Sequence, residues 1–345
     1  MGENRRAERE GLDRRGFLTV GAAAVGGAAV TGLARGAVPP PLPSNPATPR
    51  AMPMRNLGRT GYSVGLFSLG GQAAVEKPAN EETAVAIVEK ALDLGVNYID
   101  TAARYGGDAR WSQKYIGQVM KRRRSETFLA SKTHDRTRDG SLRLLEESLT
   151  LLNTDHLDLW QLHNITKTQD LDQIFAPTGA IKAMEEAREQ GLVRFLGITG
   201  HADPDVLIDG IQRFPFDTIL LALNAADRHH LSFIDKLLPL AVEKEMGIIG
   251  MKIPARGRLL TSWAPPATGD LAATVPGTLD MQQALRYVLT LPVSTVIIGC
   301  DSPAQVEENG RLARSFNPLS PAQLATLEER ARPVQKQALF FRPWA

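Results

Sequence analysis

From Ile181 to Leu223 the chain reads as four elements in turn. Ile181-Lys182-Ala183-Met184-Glu185-Glu186-Ala187-Arg188 places apolar residues three and four apart, the spacing of one helix face. Arg194 to Ile198 is a short β-rich run. Asp205-Val206-Leu207-Ile208-Asp209-Gly210-Ile211 returns to helical spacing, and Thr218 to Leu223 is again β-rich. Strands that read as continuous apolar runs and alternate with amphipathic helices point to a parallel sheet covered on both faces.

The same alternation extends in both directions. Upstream lie Leu66–Leu69, Val96–Ile99, Thr127–Ser131 and His156–Leu162, and downstream lie Gly247–Met251 and Val293–Ile298, with Thr83 to Leu92 as another helix. Eight such strand–helix units close a barrel, so the expected fold is α/β, a (β/α)8 TIM barrel over residues 53–345. Ahead of the first barrel strand, Met54 to Val64 places Gly58 and Gly61 at turn positions, which predicts a β-hairpin over the barrel bottom. A last helix is expected over Pro321 to Arg332, followed by the aromatic tail Phe340-Phe341-Arg342-Pro343-Trp344. The connection from Pro254 to about Asp280 is long and rich in Pro and Gly, and a loop of that length is usually functional.

The N-terminus follows different rules. Arg14-Arg15-Gly16-Phe17-Leu18 precedes an uncharged stretch from Thr19 to Leu33, then Arg35 and a Pro-rich segment. The paired arginines followed by Phe-Leu resemble a twin-arginine export signal, and the apolar stretch is too short and too rich in Gly and Ala for a membrane span. Residues 1–37 are therefore read as a leader and 38–52 as a linker. The protein is expected to meet the twin-arginine machinery and reach the periplasm or the exterior, with no stable membrane insertion after cleavage and an N-terminal anchor if the leader is retained.

Composition narrows the function classes. The 345 residues are 43% hydrophobic and 23% charged, an ordinary soluble balance. The net charge of +2 is that of residues 1–37, where six Arg face four acids, so no basic surface for nucleic acid is implied. The run Lys121-Arg122-Arg123-Arg124 reads as a solvated helix C-terminus. With Cys300 as the single cysteine there is no intrachain disulfide and no thiolate-cluster metal site. No metal is expected, and a monomer is.

Reactive groups of a (β/α)8 barrel belong at the C-terminal ends of its strands. Asp100 ends the second strand and Tyr105 lies in the loop after it. Lys132 ends the third strand and His163 the fourth, so adjacent strands can bring the four to one pocket.

The segments Asn97-Tyr98-Ile99-Asp100-Thr101-Ala102-Ala103-Arg104-Tyr105-Gly106, Ser131-Lys132-Thr133 and Gln161-Leu162-His163 resemble the aldo/keto reductase superfamily over roughly residues 53–332. The resemblance implies a carbonyl–alcohol oxidoreductase that uses NADP or NAD on a small-molecule substrate. It implies Tyr105 as general acid–base, Lys132 and Asp100 as its tuning pair, and His163 as the group that orients the carbonyl. A free phenol has a pKa of about 10 and is a poor proton donor and base near neutrality, so a neighbouring ammonium is expected to lower it.

The resemblance also implies cofactor contacts. Gly299, Asp301, Ser302, Gln305, Glu308 and Asn309 match an adenosine-phosphate clasp after the eighth strand, and Gly71 follows the first. Asp301 stands where many relatives carry Arg or Lys, so it is expected to repel a 2′-phosphate and make NADH at least as acceptable as NADPH. On the nicotinamide side the pattern departs: Thr199-Gly200 replaces a Ser-Asn pair, Leu221 a Gln, and Met251 a stacking Tyr. Asn224 is expected to take the carboxamide and Lys252 a phosphate, with Met251 covering the ring. Two rival readings are a nucleotide-binding sensor with slow turnover and a metal-dependent hydrolase built on His134, His163, His201, His229 and His230.

Overall fold

The computed structural model describes residues 40–344, so the leader lies outside the described residues. A hairpin of β1 (Met54–Asn56) and β2 (Ser63–Gly65) precedes eight parallel strands. These are β3 (Phe67–Gly70), β4 (Tyr98–Asp100), β5 (Phe128–Thr133), β6 (Leu157–Leu162), β7 (Val193–Gly200), β8 (Thr218–Ala222), β9 (Gly247–Met251) and β10 (Thr295–Ile298). They close in the order β10-β3-β4-β5-β6-β7-β8-β9, which is the expected (β/α)8 TIM barrel.

Alternation within each strand divides its side chains between two cores. Outward residues such as Trp160, Leu196 and Val296 pack under the helices. Inward residues such as Tyr98, Phe128, Leu159, Leu220 and Ile249 fill the barrel. The floor is sealed by rings: Tyr62 of the hairpin lies 4.5 Å from Phe128, which stacks on Tyr98 at 5.4 Å and Phe195 at 6.1 Å. The Tyr62 hydroxyl donates to the Asn97 carbonyl at 3.1 Å, so the hairpin is hydrogen-bonded to the sheet it covers. Gly58 is required there, because its φ is +54° and a Cβ would stand 2.1 Å from the Gly247 nitrogen.

One expectation is corrected by packing. Residues 44–52, read as linker, are seated on the barrel: buried Asn45 donates to the carbonyls of Leu92 and Val96 at 2.8 and 3.2 Å, and Thr48–Ala51 forms a helical turn. The run 121–124 ends the helix Trp111–Arg123, as its sequence suggests, with Lys121 and Arg122 exposed. Arg123 pairs with Glu89, Asp93 and Glu126, and Arg124 pairs at 2.9 Å with the fully buried Asp158.

The C-terminal tail is fixed as firmly as a core element. The Arg342 guanidinium is fully buried against the carboxylate of Asp227, itself fully buried. It also donates to the carbonyls of Asp227 and Ala222 at 3.0 and 3.4 Å, and Trp344 stacks on His230 at 3.9 Å.

Candidate active site

Asp100 and Lys132 are inward residues of neighbouring strands, each 1% exposed. The Lys132 ammonium donates to the Asp100 carboxylate, to the Thr101 carbonyl at 2.8 Å and to the Tyr105 hydroxyl at 3.4 Å. Tyr105 reaches this point because the chain turns sharply after it. Gly106 has φ +84°, and a Cβ there would lie 2.5 Å from the Trp111 nitrogen. His163 hangs from the β5 edge by its N–H to the Thr133 carbonyl at 2.8 Å, and its ring meets Tyr105 edge-on at 5.7 Å. The structure thus brings together all four reactive residues singled out in the sequence.

Sequence reasoning missed a fifth member. Gln161 lies in register with Lys132, one strand over, and its Nε2 donates to Asp100 Oδ1 at 3.1 Å. Asp100 therefore has one oxygen on the ammonium and the other on a buried amide. The available signal was the alternation: Leu159 faces inward, so Gln161, two residues on, does too.

Burial dominates the electrostatics. It pushes the Asp100 carboxyl up and the Lys132 ammonium down, while their mutual attraction and the Gln161 hydrogen bond oppose the change. Tyr105 departs from expectation. Burial, reinforced by Asp100 and Glu76, holds its phenol well above the ordinary value, so the hydroxyl stays protonated. Burial, together with Lys132 and His201, keeps His163 well below the usual imidazole range, so it is neutral.

The cofactor candidates divide by placement. At the mouth end of β10, Gly299 is exposed and a Cβ would come within 3.2 Å of Gln72 backbone, leaving a cradle that a side chain would fill. Ser302 caps the helix Pro303–Arg314, its hydroxyl accepting from the Gln305 N–H, and Gln305 and Glu308 are exposed beside it. Asp301 is not a bare carboxylate, because Lys77 pairs with it at 3.0 Å and offsets the expected repulsion. Lys252 is half-buried, donates to Gln72 Oε1 at 3.1 Å, and forms no ion pair among the described residues.

The remaining candidates are committed internally. Asn309 is buried with its amide on Cys300 Sγ at 3.5 Å. The Gly71 N–H bonds the Asp100 carbonyl at 2.6 Å, and a Cβ on it would strike Ser112 Oγ. Thr199 Oγ1 accepts from the Asn164 N–H at 2.8 Å. Met251 is buried among the inward residues. Asn224 is fully buried, its amide bonded to the carbonyls of Lys252 and Ala338 and its oxygen accepting from Ala226, so as placed it holds the tail instead of facing a carboxamide. Three other histidines, His201, His229 and His230, are engaged in contacts within the fold. His201 Nδ1 meets Asn164 Oδ1 at 2.7 Å, and His229 meets the Glu328 carbonyl at 2.7 Å. Among the described residues no three His, Cys, Asp or Glu side chains gather as metal ligands.

Comparison with known proteins places this geometry. The profile of the aldo/keto reductase family matches residues 63–332. An L-galactose dehydrogenase of Arabidopsis thaliana is 32% identical over 285 residues, covering 74% of this chain and 86% of its own. An uncharacterised oxidoreductase of Bacillus subtilis is 25% identical over 76% of this chain and 92% of its own. The solved holo form of an aldo-keto reductase from Bacillus halodurans superimposes with a TM-score of 0.68 at 26% identity, covering 81% of this chain and 96% of the other. With the barrel closed in the same way and the family profile spanning nearly all of it, the chain belongs to the aldo/keto reductase family.

Proposed function

We propose that this protein is a nicotinamide-dependent oxidoreductase that interconverts aldehydes or ketones and alcohols, with Tyr105 as the general acid–base. The observation that carries the reading is the single ammonium of Lys132, bonded at once to Asp100, Thr101 and the Tyr105 hydroxyl. The residues fit NADP or NAD: the cradle at Gly299, the capped helix start at Ser302 and the Lys252 ammonium, which has no carboxylate partner among the described residues, are what a dinucleotide diphosphate requires. When bound, the reduced nicotinamide supplies a hydride to the carbonyl carbon.

The chain's own residues manage the proton. Neutral His163 and the Tyr105 hydroxyl face the carbonyl oxygen together, the first orienting it and the second donating as charge develops. The phenolate left behind is met by the Lys132 ammonium, whose attraction is realised only once the proton has gone. A phenol held protonated at rest therefore serves reduction. Oxidation of NADPH or NADH by the protein lacking residues 1–37, screened against aldehydes, ketones and sugars, tests the assignment. Binding of one equivalent without repeated turnover would favour the sensing alternative, which the internal commitment of Asn224 supports.

Gln161→Leu removes one of the two hydrogen bonds that keep Asp100 ionised. We expect kcat to fall about tenfold, the scale of a hydrogen bond to a charged group. The acid limb of its pH profile should move to higher pH, since Gln161 lowers the Asp100 pKa. An unshifted limb would leave Gln161 a packing residue.

Lys252 is pushed down to about 8 by burial, Arg256 and Lys132. Its ammonium is present below that pH and lost above it, so NADPH affinity measured by fluorescence titration should weaken as pH rises through about 8. Lys252→Met should weaken binding about tenfold at neutral pH, the scale of a charge-assisted contact, and flatten the dependence. A slope that survives the substitution would assign it elsewhere. Arg14-Arg15 and the uncharged run after them support a twin-arginine leader and an exported protein.

A further inference from the structure

A ring that delivers hydride to a carbonyl held by Tyr105 and His163 must lie across the mouth from β4 and β6, toward β7, β8 and β9. That side offers few free groups. Gly200 has no side chain, Thr199 Oγ1 accepts from Asn164, and the Asn224 amide is bonded to backbone. Met251 is flexible and has no aromatic face.

What this side does present is Phe341. It is half-buried and packs on the inward cluster, which Ala222 and Met251 close at the mouth end of β8 and β9. Its ring meets His201, just after β7, at 5.8 Å and 62°. The next residue is Arg342, whose guanidinium is fully buried on Asp227 and bonded to the β8 carbonyl of Ala222. An anchor of that kind, one position from a half-exposed ring, fixes the ring where it stands, with one side packed and another open.

We infer that Phe341, carried in from the C-terminal tail, is the aromatic surface against which the nicotinamide ring is held, taking a role that Met251 at the end of β9 cannot fill. The inference rests on the nicotinamide reading above. It makes Phe341 a cofactor-positioning residue, distinct from a wall of the carbonyl pocket or a plug that must leave before the nucleotide enters. Offset or edge-on aromatic contact is favoured over contact with an aliphatic chain, because the ring faces and edges carry opposite partial charge.

Fluorescence titration of NADPH onto wild type, Phe341→Ala, Phe341→Leu and the double variant Phe341→Ala with Met251→Tyr tests this. A Kd about tenfold weaker is expected for Phe341→Ala, the scale of an aromatic contact plus its lost area. Phe341→Leu, which fills most of the space, should recover the part of the loss due to area and leave a Kd still about threefold weaker than wild type, the scale of the aromatic contact alone, and the tyrosine at 251 should restore most of the affinity. Thermal melting of each variant alongside wild type separates loss of binding from loss of fold. Unchanged affinity, with only the KM for the carbonyl raised, would make Phe341 a substrate wall and overturn the inference. Tighter binding in Phe341→Ala would make it a plug and overturn it equally. Wild-type protein that binds neither NADPH nor NADH would overturn the nicotinamide reading itself, and the inference with it.

Discussion

Tyr105→Phe is expected to lower kcat by about 10²–10⁴, the usual contribution of a positioned proton donor, while the Kd for NADPH stays within about twofold. The substitution is narrow. The phenylalanine ring keeps the edge-on contact with His163, and the Lys132 ammonium keeps Asp100 and the Thr101 carbonyl as partners. What disappears is the proton and the oxygen that the ammonium stabilises once that proton has left. Single-turnover measurements at saturating NADPH would isolate the chemical step. A loss smaller than about fivefold would mean that another group donates, and His163 would be the first candidate.

Lys132→Met is expected to cost both activity and stability. Asp100, 1% exposed, would keep only the Gln161 amide as a side-chain donor. Removing one partner of a buried ion pair typically destabilises by about 3–5 kcal/mol, because the other charge is left without compensation. The sign of the pH dependence follows from the direction of the shift. Burial holds the Asp100 carboxyl above its unfolded value, and without the ammonium it would rise further. The variant should therefore lose stability as pH rises from the unfolded carboxylate value to that folded value, and regain it on acidification. Urea unfolding at pH 5 and pH 8, with Asp100→Asn added as a second change, checks this. The asparagine should recover stability at pH 8 but no activity. A double variant as unstable as Lys132→Met alone would place the cost in packing, not in charge.

The barrel and its four reactive side chains were legible in the sequence for one reason. Strand ends and helix faces are local patterns, and chain polarity sends every strand end to the same mouth. Asp100, Tyr105, Lys132 and His163 needed only that rule. Gln161 was passed over because a neutral amide inside an apolar strand reads as core until its register with Lys132 is known. Asn224 and Asn309 were read outward, yet a polar side chain on a loop or helix turns toward whichever backbone or sulfur lacks a partner, and that depends on the tail and on Cys300. The pairing of Arg342 with Asp227 joins residues 115 positions apart, and no local spacing announces it. The raised Tyr105 phenol escaped the sequence for a related reason: the ammonium beside it was visible there, whereas the burial that holds the phenol up was not.

The segment entering the fold at Pro40 follows the underside of the barrel. Ser44 donates to the Ser125 carbonyl ahead of β5, and Asn45 is bonded ahead of β4, both at the end opposite Tyr105. A bead, a surface or a fusion partner attached upstream of residue 40 would thus grip the molecule from behind. The face through which nucleotide and carbonyl come and go would be left turned to the open solution.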